Sequence, residues 1–268
     1  MAVPGGLSIE MVSEVTEIVP GQPFYVGLFL QHDPGYHTYW KCPGIVGVPT
    51  QIDWDLPEGF EASELQFPEP ERVHMYSILA QGYERDVLIQ AKITPPKDLK
   101  PGAEVDVGGK AWWMCCAQEC NPDAKDLSVR LPVTAAKSES FDPKWHAVFE
   151  KERGVHPIES DAWSATATEV GDEITLSMVP ATAEARSILE GEEGSLIVFT
   201  EDGWFDSNKP QIIERLPAGG VRFKLTKAAV YLEDGIPEQL QVIVQNPEGW
   251  LNEGYSRSLQ LAPKIERK

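Results

Sequence analysis

"EVDVGGKAWWMCCAQECNPDAKDLSVRLPV" spans residues 104–133. Residues 104–114 alternate apolar and polar side chains, and "LSVRLPV" (127–133) does so again, the pattern of half-buried strands. Three of the four cysteines lie between the two runs, as Cys-Cys-x3-Cys. Cys116 and Cys120 stand four positions apart, which in an extended strand is roughly 13 Å. A disulfide needs Cα atoms roughly 4.4–6.8 Å apart. The two can therefore bond only if "CAQEC" folds back as a tight or helical turn. Asn121, Pro122 and Asp123 are turn formers and are expected to continue that turn. Cys115 neighbours Cys116 and on a strand points to the opposite face. Cys42, in "TYWKCPG", is a candidate second partner for Cys115. Two buried free thiols is an equally open reading, since free cysteine is commonly buried.

Working outward, further short alternating runs occur at 7–15, 24–32 and 87–93, separated by turn signals such as "PGQP", "DPGY" and "LKPG". No helical stripe interrupts residues 1–135, so a β-sandwich is expected over 1–138. The polar stretch "TAAKSES" then reads as a linker. "FDPKWHAVFEKERG" (141–154) reads as a short spacer helix, with Asp142 as cap, Pro143 in the first turn and Gly154 at its end. Phe141, Trp145 and Phe149 fall on one face that can dock on a sandwich. A linker with this helix is expected over 139–160. A second strand series at 162–170, 173–180, 195–201, 221–226, 240–246 and 256–263 makes 161–268 a second β-sandwich of unassigned role. One short helix is expected within "ATAEARSILEG" (181–191).

The 268-residue chain is 42% hydrophobic and carries a formal charge of −19, a composition that buries real cores and leaves an acidic, solvated surface. Nucleic acid is excluded as a partner, because phosphate backbones are bound by clustered lysine and arginine. No window approaches the roughly 18 apolar residues of a membrane helix. The N-terminus lacks the apolar core of a signal peptide. Two readings follow: a cytosolic protein, or a segment from which a leader and a membrane portion have been removed.

Three packed cysteines point to chemistry more than to stapling. Structural zinc normally uses four Cys or His ligands, often as two separated pairs, and no second pair is present here. Copper(I) accepts two or three soft ligands, and Met114, Cys115, Cys116 and Cys120 form a candidate set, with His74 and Met75 elsewhere. A redox dithiol, which needs no cofactor, is the third role.

Longer motifs bear on that choice. "HTYWKCPG" (37–44), "FPEPER" (67–72), "GY" (82–83) and "CAQECNP" (116–122) occur in the order found in the N-terminal extracytoplasmic domain of DsbD/ScsB-like thiol:disulfide interchange proteins. Residues 7–135 resemble that family nearly continuously. "EDGWFDSNKPQIIERL" (201–216) and "PEGW" (247–250) resemble, more weakly, a second extracytoplasmic β-domain of its ScsB-like branch. The resemblance implies an all-β protein of two immunoglobulin-like sandwiches. It places the redox pair on Cys116 and Cys120, with Cys120 attacking the partner disulfide and Cys116 resolving. It implies an extracytoplasmic, periplasmic location and part of a protein-disulfide reductase. Electrons would arrive from a membrane-embedded DsbD/ScsB-type domain and pass to thioredoxin-like or disulfide-isomerase proteins.

The resemblance also implies a cap over the pair, for which "VHMYSILAQGY" (73–83) is the candidate, with Met75, Tyr76 and Tyr83 as lids. Trp113, with Tyr36, Tyr39, Trp40 and Trp112, is a candidate pocket wall, although core packing is the commoner use of such aromatics. His37 and His74 are candidate ligands or proton carriers, or simply hydrogen-bonded structural residues. The x3 spacing matches the ScsB-like branch. Cys115 takes a position that is usually apolar in the family, and Cys42 one that is commonly Asn. The alternatives are a copper(I)-binding or copper-tolerance module and a passive binding sandwich with a structural disulfide.

Overall fold

The computed structural model describes residues 6–135, 140–229, 237–254 and 256–268. The expected linker at 134–140 therefore lies partly outside the described residues. The chain forms two compact units. One contains the chain up to Trp40, residues 48–73 and Gly82–Gly154. The other contains Lys41–Gly47, His74–Gln81 and Val155 onward.

The strands before the helix are β1 (Leu7–Ser13), β2 (Phe24–His32), β3 (Thr38–Tyr39), β4 (Gln51–Trp54), β5 (Glu61–Ala62), β6 (Glu71–Met75), β7 (Ile78–Tyr83), β8 (Val87–Thr94), β9 (Glu104–Cys116) and β10 (Cys120–Pro132). In the first unit a four-stranded sheet, ordered β1-β2-β8-β5, and a three-stranded sheet, ordered β10-β9-β4, form an immunoglobulin-like sandwich. Phe24, Val26, Ile93, Val105, Val107 and Leu131 meet in its core. A smaller sheet runs β3-β7-β6.

β8 is buried along its first five residues, "VLIQA", without alternation. Its second face is covered by the helix α1 (His146–Arg153), whose Phe149 packs with Val12 and Leu88. Trp145 meets Phe29 edge-on at 5.1 Å. Asp142 Oδ1 accepts the backbone N–H groups of Lys144 and Trp145 at 2.8 and 2.9 Å, the capping pattern, although regular helix begins only at His146. Glu14 fastens the helix by accepting from Arg153 and pairing with His146 Nδ1 at 2.8 Å. The helix thus belongs to the first unit. Phe141 precedes it and stays exposed, stacked on His146.

The second unit contains β11 (Trp163–Val170), β12 (Glu173–Pro180), β13 (Ile197–Thr200), β14 (Ile212–Arg215), β15 (Val221–Thr226), β16 (Val242–Gln245), β17 (Ser258–Leu261) and β18 (Ile265–Arg267). Sheets ordered β14-β15-β12-β11-β18 and β13-β16-β17 enclose a core that includes Trp163, Trp204, Phe223 and Trp250. The helix expected at 181–191 does not form. The Arg186 N–H is taken by the Trp250 carbonyl and that of Ile188 by Gly219, so tertiary bonds override local helix propensity.

Two segments from the first half of the chain are knitted into this second unit. The Gln81 amide donates to the carbonyls of Cys42 and Thr200 at 2.6 and 2.8 Å and accepts the Thr200 N–H at 2.8 Å. Asn208 accepts the Leu79 N–H at 2.8 Å. Lys41 forms an ion pair with Glu201.

Candidate functional site

β9 and β10 pair over thirteen rungs, from Glu104–Pro132 to Cys116–Cys120. Only Ala117, Gln118 and Glu119 connect them. The turn is therefore shorter than the sequence suggested, and Asn121, Pro122 and Asp123 lie inside β10 opposite Cys115, Met114 and Trp113. Pro122 is tolerated because β10 is the edge of its sheet, where a missing N–H costs no ladder bond.

At the last rung Cys116 and Cys120 face each other with Cα atoms 4.2 Å apart, and their sulfurs are bonded. The two halves differ in access. Cys116 is 0% exposed, whereas Cys120 is only partly buried. Alternation places Cys116 on the face shared with Met114 and Trp112, the wetter face of β9. It is nonetheless buried because the chain at His37 closes the far edge of β9. His37 and Cys116 exchange both backbone hydrogen bonds at 2.9 Å. Two residues on, the Tyr39 hydroxyl donates to Cys116 Sγ at 3.2 Å, and His37 Nε2 lies 3.3 Å from the same hydroxyl. His37 and Tyr39 are themselves buried. Burial, and secondarily the neighbouring Cys115, raises the Tyr39 hydroxyl above its ordinary pKa, so it stays protonated and able to donate.

Cys115 turns to the opposite face with Ala111 and Trp113, all three buried. Burial pushes its thiol up to about 12, and Asp33 adds to the rise. Cys42 is a second free thiol, partly buried and also raised, chiefly by burial. The candidate second bridge between Cys42 and Cys115 is absent, and both are unbridged thiols. The sulfurs of the copper(I) set are split between faces, Met114, Cys116 and Cys120 on one and Cys115 on the other.

Of the candidate lids, Tyr83 is a core residue. It is fully buried and its hydroxyl donates to the Pro68 carbonyl at 2.8 Å, leaving no free face. Met75 and Tyr76 lie at the end of β6 and the turn into β7, in the segment that belongs to the second unit. Tyr76 is 69% exposed and adopts φ +53°. Trp113 is buried, while Trp112 is exposed and donates its indole N–H to Asp53 at 3.0 Å. The hydroxyl–sulfur contact of Tyr39 was not legible in advance, although its motif "HTYW" was.

The site is thus a disulfide at the tip of a sandwich hairpin, with Cys116 buried and Cys120 only partly buried. Residues 10–132 match the family model "Thiol:disulfide interchange protein DsbD, N-terminal", and that stretch is similar to a DsbD N-terminal domain. The fold is similar to that of the N-terminal periplasmic domain of ScsB from Proteus mirabilis, at a TM-score of 0.60 and 16% identity, covering 96% of this chain and 92% of that one. A protein of unknown function from Porphyromonas gingivalis aligns over 97% of this chain and 99% of its own at 10% identity, but its TM-score of 0.25 carries no argument. No curated protein matches the chain.

Proposed function

We propose that the Cys116–Cys120 pair carries two electrons between thiol–disulfide proteins outside the cytoplasm. The observation that supports this most is the asymmetry of the disulfide, Cys116 enclosed beneath Tyr39 and Cys120 only partly buried. In the reduced protein the Cys120 thiolate attacks one sulfur of a partner disulfide. The partner's other sulfur leaves as a thiolate and takes up a proton. A mixed disulfide then joins Cys120 to the partner. The Cys116 thiolate attacks Cys120 Sγ, the mixed disulfide breaks and the second partner thiolate departs. Two electrons and two protons pass to the partner, and the Cys116–Cys120 bond is restored. A membrane-embedded domain of DsbD/ScsB type is the proposed electron source, and thioredoxin-like or disulfide-isomerase proteins are the proposed recipients.

Equilibration with glutathione buffers, followed by alkylation and mass spectrometry, tests the proposal. A reversible two-electron transition confined to Cys116 and Cys120 is expected. A bond that stays closed across the glutathione range, or a Cys120→Ser variant that still exchanges, overturns it.

A further inference from the structure

Outward from the disulfide along the same hairpin face, the next rung pairs Met114 with Pro122 and the one after pairs Trp112 with Ala124. Directly opposed residues share a face, as do alternate residues of one strand. Disulfide and apolar rungs therefore form one ledge, with Trp112 roughly 13 Å along the strand from Cys116. Val48 adds to it, and the whole lines an open groove of about 440 Å³. Trp112 is 42% and Val48 45% exposed. The Trp112 ring is held in place, with its N–H on Asp53 and the Lys110 ammonium 4.4 Å from its centroid. A rigid, half-exposed tryptophan is a low-entropy anchor for a binding partner. Carboxylates predominate at the rim, with Asp53 and Asp123 at the groove and Glu119 in the turn against the Lys110 ammonium.

We propose that this ledge docks the chain segment flanking the reactive cysteine of a partner protein, and that it selects cysteines flanked by apolar and basic residues. The inference rests on the exchange reaction proposed for Cys120. A mixed disulfide holds the partner's cysteine Cα within roughly 7 Å of that of Cys120. Residues two to four positions along an extended partner segment, at about 3.3 Å each, then lie over Met114 and Pro122 and next over Trp112 and Ala124. The covalent step thus obliges the partner to cover the apolar rungs, and the carboxylate rim complements lysine or arginine in that segment.

The test measures reduction of the Cys116–Cys120 disulfide by glutathione and by the peptides Lys-Leu-Cys-Leu-Lys, Lys-Ser-Cys-Ser-Lys and Asp-Leu-Cys-Leu-Asp. In each case the peptide thiolate attacks Cys120 Sγ, Cys116 leaves as a thiolate, and a second peptide thiol completes the reduction. Rates are compared per thiolate, after alkylation and mass spectrometry. The leucine–lysine peptide is expected to exceed glutathione by about tenfold or more, an advantage worth about 1.4 kcal/mol. It is also expected to outpace both other peptides. In Trp112→Ser and Val48→Ser that advantage falls toward one. Peptides and glutathione reacting alike overturn the ledge while leaving the exchange reaction standing. Should either variant fail to fold, the peptide series on the unaltered protein decides the matter. A protein dimer in sedimentation that shows no peptide preference also overturns the ledge, because a second copy then covers it. Failure of every thiol to reduce the bond overturns the exchange reaction itself.

Discussion

The Tyr39 hydroxyl donates to Cys116 Sγ across 3.2 Å, and neither group is open to solvent. A disulfide sulfur is a weak acceptor, and a thiolate is a strong one. The contact therefore favours the reduced protein over the oxidised one. Replacing Tyr39 by Phe removes on the order of 1–2 kcal/mol of thiolate stabilisation. For a two-electron couple this moves the reduction potential roughly 20–45 mV more negative. A glutathione titration of Tyr39→Phe measures it, and an unchanged potential would show the contact to be passive.

Cys115 sits one residue from the disulfide, yet its thiol is held at about 12 by burial. At pH 8 its thiolate fraction is lower than that of an ordinary cysteine by roughly three orders of magnitude. Iodoacetamide is therefore expected to label Cys42 first in the folded, oxidised protein. Cys115 should react only once denaturant is added. Rapid labelling of Cys115 in the native state, read by peptide mass spectrometry, contradicts its enclosure in the core.

His32 bridges the Arg85 carbonyl through Nδ1 at 2.9 Å and the Thr38 hydroxyl through Nε2 at 3.0 Å. Burial lowers its pKa from 6.5 to about 4, against the pull of the Arg85 carbonyl and Asp86. Between those values the unfolded chain binds a proton that the native protein does not, so stability rises with pH there. The contribution is complete above about pH 6.5 and is lost as pH falls toward 4. By pH 4.5 the loss is roughly 2–3 kcal/mol. Urea midpoints at pH 7 and 4.5 should lie closer together in His32→Asn than in the parent. An equal gap in both proteins would refute the assignment.

Gly82 pairs with Tyr39 across β3 and β7, and a Cβ there would lie 2.1 Å from the Thr38 carbonyl oxygen. Backbone cannot yield as a flexible side chain can. Gly82→Ala is expected to cost about 1–3 kcal/mol, in the range for overpacking. By displacing β3 it should also reproduce part of the potential shift of Tyr39→Phe. Stability and potential both unchanged would show that β3 adapts.

Alternation alone gave β2, β12 and β15 their bounds, because each has one face on a core. It failed where tertiary context decides. Pro122 reads as a turn residue until β10 is known to be a sheet edge. The Gln81 amide, reaching Cys42 and Thr200, assigns two early segments to the second unit, and no local pattern announces that. At the site, geometry left the cysteine pairing open, and only the family resemblance placed it on Cys116 and Cys120. The burial of Cys116 depends on His37, 79 positions earlier in the chain, and no reading of the hairpin by itself reveals it.

The disulfide closes a link across a three-residue turn whose strands are already in register. Closing so short a loop removes little freedom from an unfolded chain, far less than bridging a hundred residues. Unlike a staple between distant segments, this bond contributes little to holding the sandwich together. Reduction of the bond is therefore expected to lower the melting temperature by only a few degrees.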